Sequence, residues 1–569
     1  MKKILFGIIA IILAAGCSLK EHSFTEVEKD AYLKDAKQAQ TVLLGLYRDL
    51  TSDAMYGYHL SLYFTLGTDE AKVTGNSIEN FRNVPSNAYT STEDEVQNTW
   101  KSLYAAIYDA NDFIERLSVA VEDFSEGEKN IAAVFMAEAR TLRALFYFEL
   151  VRWWKNVTLV TSTAESKKHP STFVQTPPED VYAFIETELK YAISVLPYAT
   201  EDSYRSSNDF RISKGGAMGL LAKVYATWAG YPLQNTAKWE DCAKICKTLV
   251  ESGKHSLLEN YEDLWKNAGS STWDPSESLI EVSFFSPTIT GNSSNDCSGR
   301  IGKWNGASIA EGAWPSGRAA ANWIVLPTFA KAWRDYVNDK RWAISMADYK
   351  YTVNDNKQMV KQQLLEVTES GVKRPGYLTE ALPDGVAASF RKPFNNGITP
   401  AKWDIVKYEG RTNAVTDANL SNFNWYILRY ADVLLLYAEA LNEWQQGPTA
   451  DAFAAVNMVR RRGYGLPVNE ASNLADLDNT LDYEGFRQAV RDERAHELCF
   501  EGHRRQDLIR WGIYYRTIMD TYQGLVAWHE NAPDYYRIAE YTVEGKNELL
   551  PIPQREMDLM KQYDQNPKW

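Results

Sequence analysis

Four tryptophans mark where this chain has side chains suited to contact with a bound molecule. Trp273, Trp304, Trp314 and Trp323 fall in or just beyond Gly269 to Gly317, a stretch rich in Gly, Ser and Asn. An indole on a loop offers a flat apolar face and one N–H donor, which serves binding rather than bond-making. The competing account is that each ring fills core, since tryptophan is largely buried on average. Long irregular segments inside compact proteins are usually functional or disordered, and so many tryptophans argue against disorder. The stretch is therefore the expected ligand-facing region.

A second set of reactive types lies in ERAHELCFEGHRRQDLIRW (Glu493 to Trp511), where His496 and His503 stand seven apart. A zinc-binding HExxH pattern fails there, because Phe500 occupies the place of its second histidine. Arg494, Glu497, Glu501 and Arg504 are instead expected to form an ion network among helices. Cys242 and Cys246 are one helical turn apart with no further His or Cys close in sequence, so small core residues are the expectation. Gly463-Tyr464-Gly465 lacks the third glycine of a dinucleotide loop, and neither a P-loop nor a nucleophile elbow is found. No catalytic residue, metal or cofactor is expected.

The elements that must position these loops are helical. Phe423 to Glu443 (FNWYILRYADVLLLYAEALNE) reads as one helix, apolar around most of its circumference, which other helices must cover. Gln446-Gly447-Pro448-Thr449 punctuates a hairpin, and a second helix runs from Ala450 to Arg462. Further helices are predicted from Ala31 to Leu50, from Glu93 to Val121, and from a capping box at Ser125 and Glu128 to Trp154. Others run from a second box at Thr176 and Glu179 to Leu196, from Ser213 to Ala229, and from Trp239 to Ser252. Leu481 to Trp511 gives two more, broken at Glu501-Gly502, and a strand-like run covers Ser278 to Phe285. Trp100, Trp153, Trp425 and Trp511 lie inside helical patterns and are expected in the core. Helical pairs at this spacing suggest an all-α protein of tetratricopeptide-like hairpins without a clean repeat consensus.

The chain of 569 residues carries a net charge of −14. Such an acidic balance is poorly suited to phosphate backbones, whose affinity rests on Lys and Arg, and excludes nucleic acid as a partner. Met1 to Cys17 (MKKILFGIIAIILAAGC) has two lysines, an apolar run too short to cross a bilayer and small residues before a cysteine: an export signal. Its Ala14-Ala15-Gly16-Cys17 end resembles a bacterial lipobox, which implies acylation at Cys17; the alternative is an ordinary signal peptide cleaved nearby. Residues 17–30 would then be a lipidated tether after a signal peptide of residues 1–16.

Six stretches together resemble the SusD/RagB family of outer-membrane nutrient-binding lipoproteins. They are AEARTLRALFYFELVRWW (Ala137 to Trp154), ISKGGAMGLLAKVYA (Ile212 to Ala226), WYILRYADVLLLYAEALNE (Trp425 to Glu443), VNMVRRRG (Val456 to Gly463), ERAHELCFEGHRRQDLIRWG (Glu493 to Gly512) and LLPIPQREM (Leu549 to Met557). The chain departs from the family at its end, where Lys568-Trp569 stands for the usual Gly-Tyr. The resemblance implies an all-α fold divided into an N-terminal helical part (31–265), a variable loop-rich ligand-binding region (266–420) and a C-terminal helical part (421–569). It implies a cell-surface binding protein, not an enzyme, seated on a SusC-like TonB-dependent transporter. Its ligand would be an oligosaccharide or polysaccharide, or a peptide in some relatives.

Sugar recognition needs aromatic faces for the C–H side of a pyranose and amide, carboxylate or guanidinium groups for its hydroxyls. The candidate contacts are Trp273, Trp304, Trp314 and Trp323, with Phe81 and Tyr89 from the Gly67-to-Thr90 loop, and Asp69, Asn76, Arg82 and Asn83 as hydroxyl partners. Two other classes compete. An all-α glycoside hydrolase would need only two facing carboxylates, but no motif supports it. A tetratricopeptide scaffold for protein partners explains the helices but not the loop tryptophans.

Overall fold

The structure, a computed structural model, describes residues 33–285, 297–310, 312–313, 319–334, 336, 338–364, 366–369, 372–375, 397–409, 420–528 and 532–569. Cys17 and Trp314 lie outside the described residues.

Ala36–Asp49 (α1), Asp94–Ala120 (α2), Glu126–Trp154 (α3), Pro178–Val195 (α4), Lys214–Ala229 (α5) and Lys238–Glu251 (α6) form the amino-terminal half. Each of α2 to α6 packs on the next, and α1 lies against α2 and α3. The box predicted at the start of α3 is present: the Glu128 carboxylate accepts from the Ser125 backbone N–H at 3.2 Å and from its hydroxyl at 2.6 Å. The second box is not. Thr176 is bridged to Val157, and its hydroxyl accepts from the Leu159 N–H at 2.9 Å, so α4 starts at Pro178 with no side-chain cap. Cys242 and Cys246 are buried, as expected of core residues.

Tyr430–Gln445 (α7), Ala450–Gly463 (α8), Tyr483–Leu498 (α9) and Arg504–Arg510 (α10) form the carboxy-terminal half. Helix α7 touches α5, α6, α8 and α9, and every residue from Tyr430 to Asn442 is buried. It is the centre of the molecule, but it starts later than its sequence suggests. Trp425–Arg429 is a strand, because an apolar run without polar alternation reads the same in either period and β-branched or aromatic residues favour the pleated form.

The strands that bear on the site and the core include Ala71–Val73 (β1), Ser278–Val282 (β2), Trp323–Val325 (β3), Tyr349–Val353 (β4), Met359–Gln363 (β5) and Trp425–Arg429 (β6). All pair antiparallel and two by two: β1 with β3, β2 with β6 and β4 with β5. The β2–β6 ladder places Tyr426 opposite Glu281 and Arg429 opposite Ser278. Glu281 is buried there, accepting from Ser278 Oγ at 2.6 Å and from Asn424 Nδ2 at 2.8 Å. Burial pushes its carboxyl from the ordinary 4.5 up to about 7. A raised value in the fold contributes stability that is complete below the unfolded value and lost as pH rises through about 7. Between pH 5 and 8, Glu281→Gln should therefore gain on the wild type by on the order of 2 kcal/mol. Paired urea midpoints at the two pH values check this; a constant difference would show that the carboxyl is ionised throughout.

Between α9, α10 and β6 lies a buried ion lattice. Arg429 donates to Glu501 at 2.7 Å, Glu277 at 2.8 Å and Glu497 at 3.0 Å. Arg462 joins Glu277 at 2.9 Å and Glu497 at 2.6 Å, while Arg341 reaches Glu493 at 2.6 Å and Glu497 at 2.9 Å. Burial works to raise the Glu497 carboxyl, but Arg462, Arg429 and Arg341 outweigh it and hold it far below the usual range. Of the network expected of Arg494, Glu497, Glu501 and Arg504, Glu497 and Glu501 are joined through Arg429, whereas Arg494 pairs with Asp432 and Asp507 and Arg504 with Asp69. Trp100, Trp153 and Trp425 are core as predicted, whereas Trp511 is only half-buried, its Nε1 donating to Glu439 at 2.7 Å.

Candidate functional site: an aromatic platform beside β1 and β3

A separate ion pair anchors the loop that leads to the candidate site. Arg504, at the start of α10, pairs with Asp69 at 2.6 Å, and Tyr536 and Tyr514 donate to the Thr68 and Gly67 carbonyls at 2.8 and 3.3 Å. Gly67 has φ +84°, and a Cβ there would lie 2.2 Å from the Pro85 carbonyl oxygen. No L side chain fits this turn without moving backbone. Gly67→Ala should cost more than about 1 kcal/mol of stability, read from the urea midpoint; an unchanged midpoint would mean that the loop can shift freely.

From this anchored loop β1 runs out to pair with β3, Val73 opposite Trp323. Beyond the ladder, the Thr74 N–H donates to the Asn322 carbonyl at 2.7 Å, and the Asn322 N–H to the Trp304 carbonyl at 2.6 Å. Three chain segments are thereby fixed side by side: the turn after β1, the approach to β3, and the short helix Ile301–Asn305 that carries Trp304.

The Trp304 ring is half-buried and meets Tyr58 edge-on at 4.8 Å and Phe81 edge-on at 5.4 Å. Two guanidinium groups flank the three rings. Arg300 lies 5.3 Å from both the Tyr58 and Trp304 rings, its Nε donating to Asp53 at 3.0 Å. Arg82 lies over Phe81 at 4.1 Å, its Nε donating to the Thr74 carbonyl at 2.6 Å. The space beneath Tyr58, Phe81, Trp304 and Trp323 amounts to about 10 Å³. That is barely one water, so the rings form a filled platform, with Tyr58 buried within it and Phe81 and Trp304 half-buried.

Of the residues singled out from sequence, Trp304, Phe81 and Arg82 come together here, with Trp323 buried beneath at 5% exposure and Asn76 exposed at the rim. The rest lie elsewhere. Trp273 sits half-buried beside Phe210, 6.3 Å between rings, with Arg205 at 5.2 Å. Tyr89 is buried against the Trp569 ring at 4.9 Å. Asp69 is taken up by Arg504, and Asn83 by Tyr63 at 2.6 Å and Glu93 at 2.6 Å. Opposite charge explains the first and helix-turn geometry the second: Asn83 also caps its own turn by accepting from the Val84 N–H at 2.9 Å.

Sequence reasoning missed Tyr58 and Arg300. Tyr58 joins two π-helical turns, Asp53–Gly57 and His59–Tyr63, which follow neither the α nor the β period. Arg300 gives no local signal; it matters only because its N–H donates to the Gly57 carbonyl at 3.0 Å and brings it to Tyr58.

Comparison with known proteins agrees with this architecture. Residues 329–569 match a model described as the SusD family, and residues 24–226 one described as "starch-binding associating with outer membrane". A crystal structure of a SusD homolog from Bacteroides thetaiotaomicron superposes with a TM-score of 0.86 at 52% identity, covering 96% of this chain and 99% of that one. The chain belongs to the SusD family. A laminarin-binding SusD-like protein superposes with a TM-score of 0.66 at 25% identity, over 94% of this chain and all 100% of that one. A SusD-like protein of Formosa agariphila is 26% identical over 558 residues, 95% of this chain and 93% of that one. The all-α, tetratricopeptide-like architecture read from the sequence is that of this SusD-like fold. Neither family model spans the segment bearing Arg300, Trp304 and Trp323, whereas Tyr58, Phe81 and Arg82 fall within the second.

Proposed function

We propose that this SusD-family protein captures an oligosaccharide at the outer cell surface and delivers it to a SusC-like TonB-dependent transporter. The observation that carries this reading is the Tyr58–Phe81–Trp304 platform with guanidinium groups at its rim. A pyranose presents one face of C–H bonds and a rim of hydroxyls, and rings edged by donors complement both. Family membership supports it, as do the related protein that binds laminarin and the model described by starch binding at the outer membrane. In this reading, acylation at Cys17 anchors the protein, and residues 266–420 share its ligand specificity with the loop bearing Phe81 and Arg82.

Glycan-array screening followed by calorimetry tests the proposal. Saturable binding to one class of glycan, with no product after prolonged incubation, is the expected result. Released reducing ends would mark an enzyme instead, and binding to peptides alone would redirect the reading to the peptide-binding branch. Co-purification of a β-barrel transporter with the tagged, membrane-anchored protein tests the partner.

A further inference from the structure

Arginine in this acidic protein is commonly engaged with a carboxylate; Arg82 is not. Among the described residues no carboxylate pairs with it. Its Nε is committed to the Thr74 carbonyl at 2.6 Å and its plane lies on Phe81 at 4.1 Å, which leaves the outer N–H groups of the fork without an acidic partner. A second cation stands close by. Lys72 Nζ donates to the Gly75 carbonyl at 2.8 Å and lies 4.1 Å from the Tyr535 ring, again with no carboxylate among the described residues. Both cations thus grip the same turn, Thr74-Gly75, and the turn is shaped to admit them. Gly75 has φ +78°, and a Cβ on it would meet Arg82 Nε at 2.9 Å. Burial, reinforced by the neighbouring Arg82 charge, lowers the Lys72 ammonium to about 7. The nearby acidic groups have partners of their own: Asp53 holds Arg300, and Glu93 accepts from Asn83 and Tyr63.

We propose that the sugar held on the platform is anionic, and that its carboxylate or sulfate pairs with the Arg82 fork beside Phe81 and Trp304. The inference rests on the glycan-binding reading and narrows it to acidic glycans. A guanidinium pre-set by one hydrogen bond and one ring contact loses little freedom when it donates its outer N–H groups to the oxygens of an anion. A guanidinium without an acidic partner also attracts an anion electrostatically, whatever the overall charge of the protein.

The test uses the full mature chain and matched oligosaccharides. Hexasaccharides of polygalacturonate, alginate and chondroitin sulfate are titrated beside their carboxyl-reduced or desulfated forms. The expected result is that one anionic member binds at least about tenfold more tightly than its neutral counterpart, with the preference shrinking as salt rises. Arg82→Gln should remove the preference by weakening the anionic form more than the neutral one, and Arg82→Lys should restore only part of it, since an ammonium cannot make the fork. The preferred pair distinguishes carboxylate from sulfate. Neutral glycan bound at the platform with no charge preference, or a preference that survives Arg82→Gln, would overturn this proposal alone. Failure of every glycan on an array, charged and neutral, would overturn the glycan-binding reading and this proposal with it.

Discussion

Arg429→Met should lose about 3–5 kcal/mol of folding stability, the cost of removing one partner from a buried charge cluster. The Arg429 guanidinium faces Glu501, Glu497 and Glu277, all with side chains at 0% exposure. Methionine fills much of the volume but leaves these carboxylates, among the described residues, with Arg462, Arg341 and Lys402 to neutralise them. Burial opposes the ionised carboxyls of Glu497 and Glu501, and the arginines, with Lys402 beside Glu501, reverse that trend. The measurement is the urea midpoint at pH 7. A second variant, Arg429→Met with Glu501→Gln, should recover part of the loss, because it removes one of the stranded charges. A midpoint within about 1 kcal/mol of the wild type would mean that the lattice is spectator rather than frame.

Trp304→Ala should weaken glycan binding by about 2 kcal/mol or more, at least about thirtyfold in Kd, the range of an aromatic anchor at a binding centre. The melting temperature should change far less than in Trp323→Ala. Trp304 is half-buried, whereas Trp323 is 5% exposed beneath it and closes the β1–β3 ladder. Calorimetric Kd and melting temperature measured on both variants separate the roles. Equal losses of binding and stability at Trp304 would assign that ring to the core.

The helical frame was legible because its signals are local: the capping box at Ser125, the Gly447-Pro448 break and the apolar surface of α7 each act within a few residues. The β6 strand was not. Trp425 to Leu428 is apolar at every position, so only its partner β2, far earlier in the chain, decides its form. The platform divides in the same way. Trp304, Phe81 and Arg82 could be picked out as ring and cation types on loops, but Tyr58 and Arg300 join them through contacts that no spacing encodes. Asp69 and Tyr89 have suitable chemistry, yet a long-range arginine and the terminal Trp569 claim them. Residue type nominates a contact; tertiary competition allots it.

The near-absence of hollow space under the rings has a bearing on which polymers this protein could hold. A deep pocket admits only what can thread into it, typically the end of a chain. An outward-facing shelf sets no such condition, so units in the middle of a long glycan are as accessible as its termini. Affinity should then climb with oligomer length until the shelf is covered and level off beyond it.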